Sequence, residues 1–418
     1  MIPAHLSRPT WVADDPLATV YRRLFAPIDW SVFDQRCPST RGPRPHPPSA
    51  YLKLLVVKIV SRVRSIAELR RLLLLHPALV WEVGLHRGQA PRRLRSFPVA
   101  RLVPTERWLR TQQQRLAPLL AQVLQQTVQR AAALVPDLDA TTALDATHHP
   151  AWVKQNNENQ SVAPRFQATC QPTGDPDCRL AGKTRHPGAG GRRTMAFWGY
   201  HSAVVTSELP AGALVLAATV QPAVAQEIQL VRPLLAQLDT TLGHPPAGLA
   251  ADAAFDASWV WDWIVSAGGT AAIAPNPRGG PARRSPEGHP HCTQGLVMRP
   301  TSRIVRDGVP IQHYDCPLVG QPGATCPHPR FRTKGCHKRI NASAGGLARV
   351  LVDRTSADYQ TRYATRTGVE RVFSQIKAWG LERPCARCLA TVQSIVLAGY
   401  VTLNLHTLQH LGERLTVN

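Results

Sequence analysis

The sequence lacks several features that would assign it to a common protein class. Its 418 residues contain no P-loop, no Gly-x-Gly-x-x-Gly motif and no Gly-x-Ser-x-Gly motif. ATPase, dinucleotide-binding and serine-hydrolase functions therefore have no support. No stretch of 18 uninterrupted apolar residues is present and the N-terminal segment does not resemble a signal peptide, so we expect a cytoplasmic protein that does not span a membrane. The nine cysteines are an odd number, which favours reduced thiols over a disulfide framework.

Acidic residues are also scarce, and they are distributed unevenly. Lys and Arg number 49 against 27 Asp and Glu, giving a net charge of +22. Residues 1–130 have a net charge of +14, residues 131–270 of −4, and residues 271–418 of +12. A GC-rich genome would explain abundant arginine but not the acidic middle. The pattern favours a polyanionic partner, most simply nucleic acid, held by basic flanks around a carboxylate centre.

The first 135 residues have the pattern of a basic helical domain. Residues 50–59 predict an apolar helix, and Ser65 with Glu68 forms a capping-box pattern before the next one. Residues 105–134 predict a longer helix, kinked near Pro118. Four arginines occur between the first two helices and in the second: Arg62, Arg64, Arg70 and Arg71. We expect this domain to bind DNA, although its helices could equally serve packing or dimerisation.

Beyond residue 136 the pattern changes to short strands and helices. Strands are predicted at residues 138–147, 199–206, 214–220, 248–251 and 270–274, the second and third as a hairpin. Helices are predicted at residues 227–238, bent by a proline, and at residues 258–267. Residues 156–193 are rich in Gly, Pro, Asn and Arg and predict a long exposed loop. Three strands, a helix, a strand and a helix match an α/β, RNase H-like core, a mixed sheet flanked by helices.

Two aspartates follow apolar strand patterns in similar settings. Asp145 is predicted to end the first strand, and Asp252 directly follows the short strand at residues 248–251. A carboxylate at the end of a strand is accessible to metal and substrate, and two-metal phosphoryl transfer needs such groups from separate elements. An aspartate there is more often a turn or helix cap, and Asp256 is predicted to be a helix N-cap. Asp139 is the alternative to Asp145, because Leu-Asp-Ala-Thr occurs at both positions.

Residues 363–377, YATRTGVERVFSQIK, predict a helix with two distinct faces. Tyr363, Arg366, Glu370 and Lys377 fall within roughly 60° of one face at about 100° per residue. The apolar side chains lie to one side of this stripe: Val369, Val372, Phe373 and Ile376. A carboxylate among cations suggests metal-dependent chemistry on a polyanion, although solvated surface helices also carry mixed charge.

The spacing of this stripe matches the Tyr-x2-Arg-x3-Glu-x6-Lys signature, and the chain resembles the bacterial insertion-sequence transposases of the DDE type that carry it. The first aspartate of that class precedes a small residue and Ser or Thr, as Asp145 does before Thr147. The second lies in a strand-Asp-small-small-aromatic-Asp context, as Asp252 does before Phe255 and Asp256. The resemblance extends over roughly residues 40–410. It is most specific at residues 363–377.

The resemblance implies a function and a site. The implied metal ligands are Asp145, Asp252 and Glu370, which would hold two Mg²⁺ (or Mn²⁺) ions, and the implied contacts to DNA phosphates are Tyr363, Arg366 and Lys377. The substrates would be double-stranded DNA, both transposon ends and target, cut and joined by a homodimer without a nucleotide cofactor, in the bacterial cytoplasm and in association with the nucleoid. A metal-dependent nuclease without strand transfer, or a transposase-derived DNA-binding protein, are the alternatives.

The expected organisation has an N-terminal domain over residues 1–135 and a catalytic core in two parts, residues 136–275 and 351–418. Residues 276–350 form an irregular, Cys- and Arg-rich insertion before the last catalytic helix. The insertion contains four cysteines that suggest a structural zinc site: Cys292, Cys316, Cys326 and Cys336. Scattered reduced thiols are the alternative, because the cysteines lack tight Cys-x2-Cys spacing.

Overall fold

The computed structural model describes residues 7–34, 45–86, 91, 93–185, 193–223, 226–276, 284–329, 331 and 333–417. The chain divides into two compact units. The first comprises Met1–Leu138, Asp145–Gln237 and Gly368–Asn418, and the second comprises Asp139–Leu144 and Leu238–Thr367.

The described helices and strands follow one another in a mixed order. The α-helices are α1 (Thr10–Ala13), α2 (Pro16–Phe25), α3 (Pro48–Val60), α4 (Ile66–Leu75), α5 (Pro77–Glu82), α6 (Val99–Leu102), α7 (Glu106–Gln113), α8 (Ala117–Ala132), α9 (Val231–Leu242), α10 (Ser258–Val265), α11 (Ala344–Leu351), α12 (Ala357–Ala364), α13 (Thr367–Ala378) and α14 (Leu389–Val417). The strands are β1 (Thr142–Pro150), β2 (Arg179–Arg185), β3 (Arg193–Leu209), β4 (Gly212–Pro222), β5 (Gly248–Ala251), β6 (Thr270–Ile273), β7 (Arg299–Arg306), β8 (Val309–Asp315) and β9 (His337–Asn341).

The described N-terminal residues are helical, as predicted, and the capping box at the start of α4 is confirmed. The Ser65 hydroxyl accepts from the backbone N–H of Glu68, whose carboxylate accepts from the backbone N–H of Ser65. The predicted kinked helix at residues 105–134 is wrong, because α7 and α8 are separate helices. Pro118 lies in the first turn of α8, where a backbone N–H has no acceptor within the helix. The N–H that proline lacks therefore costs no hydrogen bond, and Pro118 favours the start of a helix over a kink.

A mixed sheet lies at the centre of the core elements, in the hydrogen-bonded order β2-β3-β1-β5-β6, with β4 also paired to β3. The β3–β4 hairpin is antiparallel and turns between Leu209 and Gly212, which confirms the predicted hairpin. Strand β5 has the bounds that its apolar run predicts, and it pairs in parallel with β1 and with β6. An α/β architecture with a mixed sheet flanked by helices is therefore confirmed.

Strand β2 corrects the prediction of a long loop at residues 156–193. It pairs with the first part of β3, from Arg179 opposite Gly199 to Arg185 opposite Arg193. Its sequence, RLAGKTR, does not alternate between apolar and polar residues, so the pairing depends on β3 and not on a local pattern. Part of the predicted loop, residues 186–192, lies outside the described residues.

The core of the first unit forms around the long C-terminal helix α14. The helix packs against α8, β4 and α3, and Val396, Tyr400 and Leu405 are fully buried. Asn404 fixes this packing, because its side chain exchanges two hydrogen bonds with the backbone of Val215 and donates a third to the hydroxyl of Thr127. The segment Leu389–Leu415 is long and apolar enough to cross a membrane, but 72% of its most apolar window is buried within the protein, as in the core helix of a soluble protein.

The second unit contains the parallel strands β5 and β6, with α12 packed against both and α10 packed against α11. Gly345 in α11 permits the last contact, because a Cβ at this position would lie 2.1 Å from the backbone nitrogen of Asp262. The Asp262 carboxylate accepts from the Ser343 hydroxyl and from the backbone N–H of Gly345, which holds the start of α11 against α10.

The predicted insertion at residues 276–350 is not irregular throughout. Strands β7, β8 and β9 form an antiparallel sheet, in which Asp307 and Gly308 make a two-residue turn with positive φ. All of β7 is exposed, so its sequence shows no alternation that would predict a half-buried strand. Residues 277–283, 330 and 332 lie outside the described part of the segment.

Candidate active site

Asp145 lies within strand β1 and not at its end, which corrects the prediction. It is the fourth of nine residues, because the strand continues beside β3 as far as Pro150. The next backbone N–H, that of Ala151, then donates to the carbonyl of Trp198. The Asp145 carboxylate is half-buried and accepts from the backbone N–H of Ala146. A strand thus fixes its backbone.

Asp252 directly follows the buried strand β5 and begins a single turn of 3₁₀-helix, Ala253–Phe255. The carboxylate caps this turn by accepting from the backbone N–H of Ala254 at 2.8 Å. Among the described residues, this is the one hydrogen bond that the Asp252 carboxylate accepts, and a carboxylate can accept about four. Phe255 is fully buried and anchors the turn.

The register of β1 and β5 connects the two aspartates. The strands are parallel, and their last register pair is Leu144 with Ala251. Asp145 is the residue after Leu144, and Asp252 is the residue after Ala251. Each aspartate is therefore the first residue after the paired segment of its strand. Their role as metal ligands stays a prediction.

Asp139, the alternative first ligand, occupies a turn before β1. Its carboxylate accepts from the backbone N–H of Ala247 at 3.2 Å and lies 3.7 Å from the imidazole of His244. The backbone carbonyl of Asp139 accepts from Ala247 as well. These contacts fix the turn to the segment before β5, which supports Asp145 as the better candidate.

Asp256 is not the helix N-cap that its sequence predicts. Its carboxylate is 3% exposed and accepts two hydrogen bonds from the guanidinium of Arg349, at 2.7 and 2.8 Å. The indole of Trp261 and the backbone N–H of Asn276 donate to it as well. Burial alone would raise the pKa of Asp256, but these donors outweigh burial and lower it. The N-cap of α10 is Ala257, without a side-chain cap, because the Asp256 carboxylate is engaged elsewhere.

The four residues of the signature do not lie on one continuous helix. Tyr363 is in the last turn of α12, Arg366 lies in the turn that follows, and Glu370 and Lys377 are on α13. Thr365 and Thr367 donate their hydroxyls to the carbonyls of Arg362 and Ala364, which favours a helix end at this point. The prediction of a single helix is therefore wrong.

The environments of the signature residues differ between the two helices. In the second unit, Tyr363 stacks on Tyr359 with the ring centroids 5.9 Å apart. In the first unit, Glu370 is exposed in the first turn of α13, and the predicted apolar face of this helix is confirmed as buried. Arg371 pairs with Glu208 at the end of β3, with 2.9 Å between nitrogen and oxygen, and this contact ties α13 to the sheet. Lys377 is also exposed, with its ammonium 3.7 Å from the carboxylate of Glu382.

Lys377 lines a basic cleft in the first unit that the sequence pattern did not reveal. Its other described lining residues include Lys58, Arg64, Arg383 and Trp152, from three separate parts of the chain. The arginines were visible in the sequence as isolated cations. No signal in the sequence distinguished Lys58 from Lys53, the other charged residue of the largely apolar helix α3.

The predicted zinc ligands are only partly brought together. Cys292, Cys316 and Cys336 belong to one small apolar cluster with Met298 and Tyr314, whereas Cys326 is not among its members. Burial alone would raise the pKa of Cys316. The backbone N–H groups of Leu318, Cys336 and Val319 donate to its sulfur and lower the pKa below its ordinary value. The zinc site stays a prediction.

Within the described ranges, no group of three or more His, Cys, Asp or Glu side chains is placed to hold a metal ion. The carboxylates still fit Mg²⁺ or Mn²⁺ in their chemistry, because these hard cations prefer oxygen ligands. Binding of metal by the full set of three carboxylates is thus left as a proposal.

A comparison with known families now adds independent information. The family model described as "Transposase DDE domain" matches residues 141–405, more than half of the chain. The match begins just before β1 and ends within α14, so it includes all three predicted metal ligands and the cations of α13. No curated protein matches the chain.

Proposed function

Because the chain belongs to the transposase DDE domain family, we propose that it cleaves DNA at the ends of an insertion sequence and joins those ends to target DNA. The observation that carries the proposal is the β1–β5 register, which places Asp145 and Asp252 directly after the paired residues Leu144 and Ala251. Glu370, in the first turn of α13, is the proposed third ligand.

The proposed site combines three carboxylates with nearby cations. Asp145, Asp252 and Glu370 would hold two Mg²⁺ or Mn²⁺ ions, which activate the attacking water or 3′-hydroxyl and stabilise the leaving oxygen. The carboxylates are fixed by a strand, a capped turn and a helix, respectively. Such support matters because catalytic groups must hold their geometry without reorganising during the reaction.

The signature cations would position the DNA and not carry out the reaction. Lys377 provides an exposed positive charge on the same helix as Glu370, two turns further on, and Tyr363 and Arg366 would contact phosphates near the scissile bond. Arg suits bidentate contact with phosphate, and Lys acts as a point charge. Because both ends of an element must be cut together, we propose that a homodimer assembles on DNA.

The test is a cleavage and joining assay with the full chain. Linear duplexes carrying the terminal repeats that flank its coding sequence are incubated with Mg²⁺ and a supercoiled target plasmid. The proposal predicts cut ends and covalently joined products that both require the divalent metal. Cleavage without joined products would indicate a nuclease, and binding without cleavage would indicate a DNA-binding protein derived from a transposase.

A further inference from the structure

A cleft with strongly positive lining lies within the first unit. Its described walls come from the end of α3 and the following turn, from Trp152 after β1, and from the segment between α13 and α14. The charged residues among them are five cations and one carboxylate: Lys58, Arg62, Arg64, Lys377, Arg383 and Glu382. An adjoining part of the cleft shares Lys58, Arg64 and Trp152 and adds Arg110 and Arg387.

Lys58 is the buried cation of this cleft. Its residue is 8% exposed. No hydrogen bond or ion pair joins its ammonium to another described residue, although Cys385 and Glu68 act on its charge from a distance. Lys53, on the same helix, differs because its ammonium lies 5.4 Å from the ring centroids of both Phe25 and Trp30. Burial lowers the pKa of Lys58, so its positive charge would gain from an anion in the cleft.

The turn after α3 holds two more cations in an unusual backbone conformation. Arg62 has a φ of 52°, in the left-handed region that favours glycine, and the backbone N–H of Val63 donates to the carbonyl of Lys58. Glycine commonly ends helices at such a position because it lacks a Cβ. An arginine here gives up backbone stability and keeps a guanidinium at the rim of the cleft, beside the exposed Arg64.

Trp152 connects the cations on the opposite wall. Its indole is 46% exposed, and the guanidinium of Arg383 lies 5.5 Å from the ring centroid. Its backbone carbonyl accepts from the guanidinium of Arg387 at 3.2 Å. Trp152 is therefore a positioning residue for Arg383, whose guanidinium lies over its ring and also donates to the carbonyl of Asn156.

We propose that this cleft binds the sugar–phosphate backbone of duplex DNA, with Lys58 contacting a phosphate at its base. The cations come from both the N-terminal helices and the segment after the signature helix, so DNA bound there would reach Lys377. The charged lining residues suit contacts with phosphate oxygens, so the affinity would depend strongly on salt. This inference rests on the proposed function for the identity of the partner.

Salt-dependent binding of the full chain tests the inference. A fluorescent 30-base-pair duplex is titrated without divalent metal, so that cleavage plays no part, at several salt concentrations. Each lost phosphate contact should reduce the slope of log affinity against log salt by about 0.9. Lys58→Gln should show this reduction and bind roughly fivefold to tenfold more weakly at 0.1 M salt.

Matched variants separate binding from folding. Arg62→Gly should keep or raise the melting temperature, because glycine suits the backbone, while it reduces affinity and the salt slope as Lys58→Gln does. Trp152→Ala should weaken binding, and Trp152→Phe should restore it by keeping an aromatic face under Arg383. The control is Arg130→Ala, an exposed arginine of the same unit outside this cleft, which should leave binding within twofold.

Two outcomes would overturn the inference. If the wild-type chain binds DNA while Arg62→Gly and Lys58→Gln keep its affinity and salt slope, the cleft is not the binding surface. Should Lys58→Gln fail to fold, Arg62→Gly and Arg64→Ala decide in its place. If the wild-type chain does not bind DNA at all, both the inference and the proposed function fail. DNA bound through the cleft but never cleaved would leave the inference standing and overturn only the proposed function.

Discussion

Asp252 and Asp256 lie four residues apart in the same segment but have opposite environments. Asp256 is buried and accepts from Arg349, Trp261 and Asn276, so its carboxylate is fully engaged within the protein. Asp252 is half-buried and caps a single turn through one backbone N–H. The difference shows how one structure separates a carboxylate that maintains the fold from a carboxylate that remains able to bind a cation.

We expect the largest effect, a loss of DNA cleavage, from a change at Asp252. Asp252→Asn should reduce the rate of metal-dependent DNA cleavage by roughly a thousandfold or more, since it removes a charged group from the reaction site. Its melting temperature should stay close to that of the wild type, because only one turn-capping contact is weakened. Gel analysis of cleaved ends measures the rate. Wild-type cleavage by this variant would remove Asp252 from the site.

We expect the next largest effect, a loss of stability, from a change at Arg349. Arg349→Ala leaves the Asp256 carboxylate buried without its cation, which should reduce the free energy of unfolding by about 3–5 kcal/mol. Urea denaturation measures this change. The control is Arg306→Ala, because Arg306 and its partner Asp307 are 72% and 91% exposed and such pairs contribute at most about 1 kcal/mol. Equal effects of the two variants would contradict the assignment of Asp256 to the fold.

Two buried histidines should make the free energy of unfolding depend on pH. His149 donates through Nδ1 to the carbonyl of Leu381 and accepts through Nε2 from Ser202, so it is held neutral. Burial lowers the pKa of His149 to about 4, and burial with the neighbouring His149 lowers that of His201 to about 4. Both pKa values are below the ordinary histidine value of 6.5, which applies to the unfolded chain. The unfolded state therefore binds more protons than the folded state between pH 4 and pH 6.5.

The stability from these histidines should be fully present above pH 6.5 and lost as the pH falls towards 4. The loss is on the order of 3 kcal/mol for each ring. Asp256, whose pKa is lowered from 3.8, should add a loss only below that range. Urea denaturation at pH 7, 5.5 and 4.5 tests this order. A stability that is flat from pH 7 to 4.5 would contradict it.

The smallest expected effect concerns Lys377. Lys377→Ala should weaken binding to duplex DNA and reduce the salt slope by about 0.9, because it removes one exposed cation. Its partner variant Glu382→Gln should strengthen binding slightly, since it frees Lys377 from a carboxylate 3.7 Å away. Anisotropy titrations measure both. An unchanged slope in Lys377→Ala would exclude it from phosphate contact.

The sequence predicted those parts of the fold that depend on local pattern. Strand β5 is a short apolar run that ends at Asp252, and the α4 capping box depends on residues three positions apart. Both were therefore visible without the structure. Asp145 and Asp252 were predicted as metal ligands in the same way, since each follows an apolar run, and this role stays a prediction.

The parts that were missed depend on distant partners. Strand β2 forms because β3 provides its hydrogen bonds, and Asp256 is a structural residue because Arg349, 93 positions later, donates to it. The break between α12 and α13 interrupts no periodicity, because the apolar stripe simply resumes after Arg366. Lys58 lines the same cleft as Trp152 and Arg383, which are distant in sequence. Local patterns carry no information about such contacts.

Iron-mediated backbone cleavage measures whether Asp145, Asp252 and Glu370 bind the same metal ions. Fe²⁺ replaces Mg²⁺ in the full chain bound to an end duplex, and peroxide then generates radicals that cut the polypeptide near the metal. If the three carboxylates share the metal ions, we expect cuts close to positions 145, 252 and 370. Excess Mg²⁺ and Asp252→Asn should each suppress all three cuts. Cuts near 145 and 252 without one near 370, or cuts that Asp252→Asn leaves unchanged, would contradict this expectation.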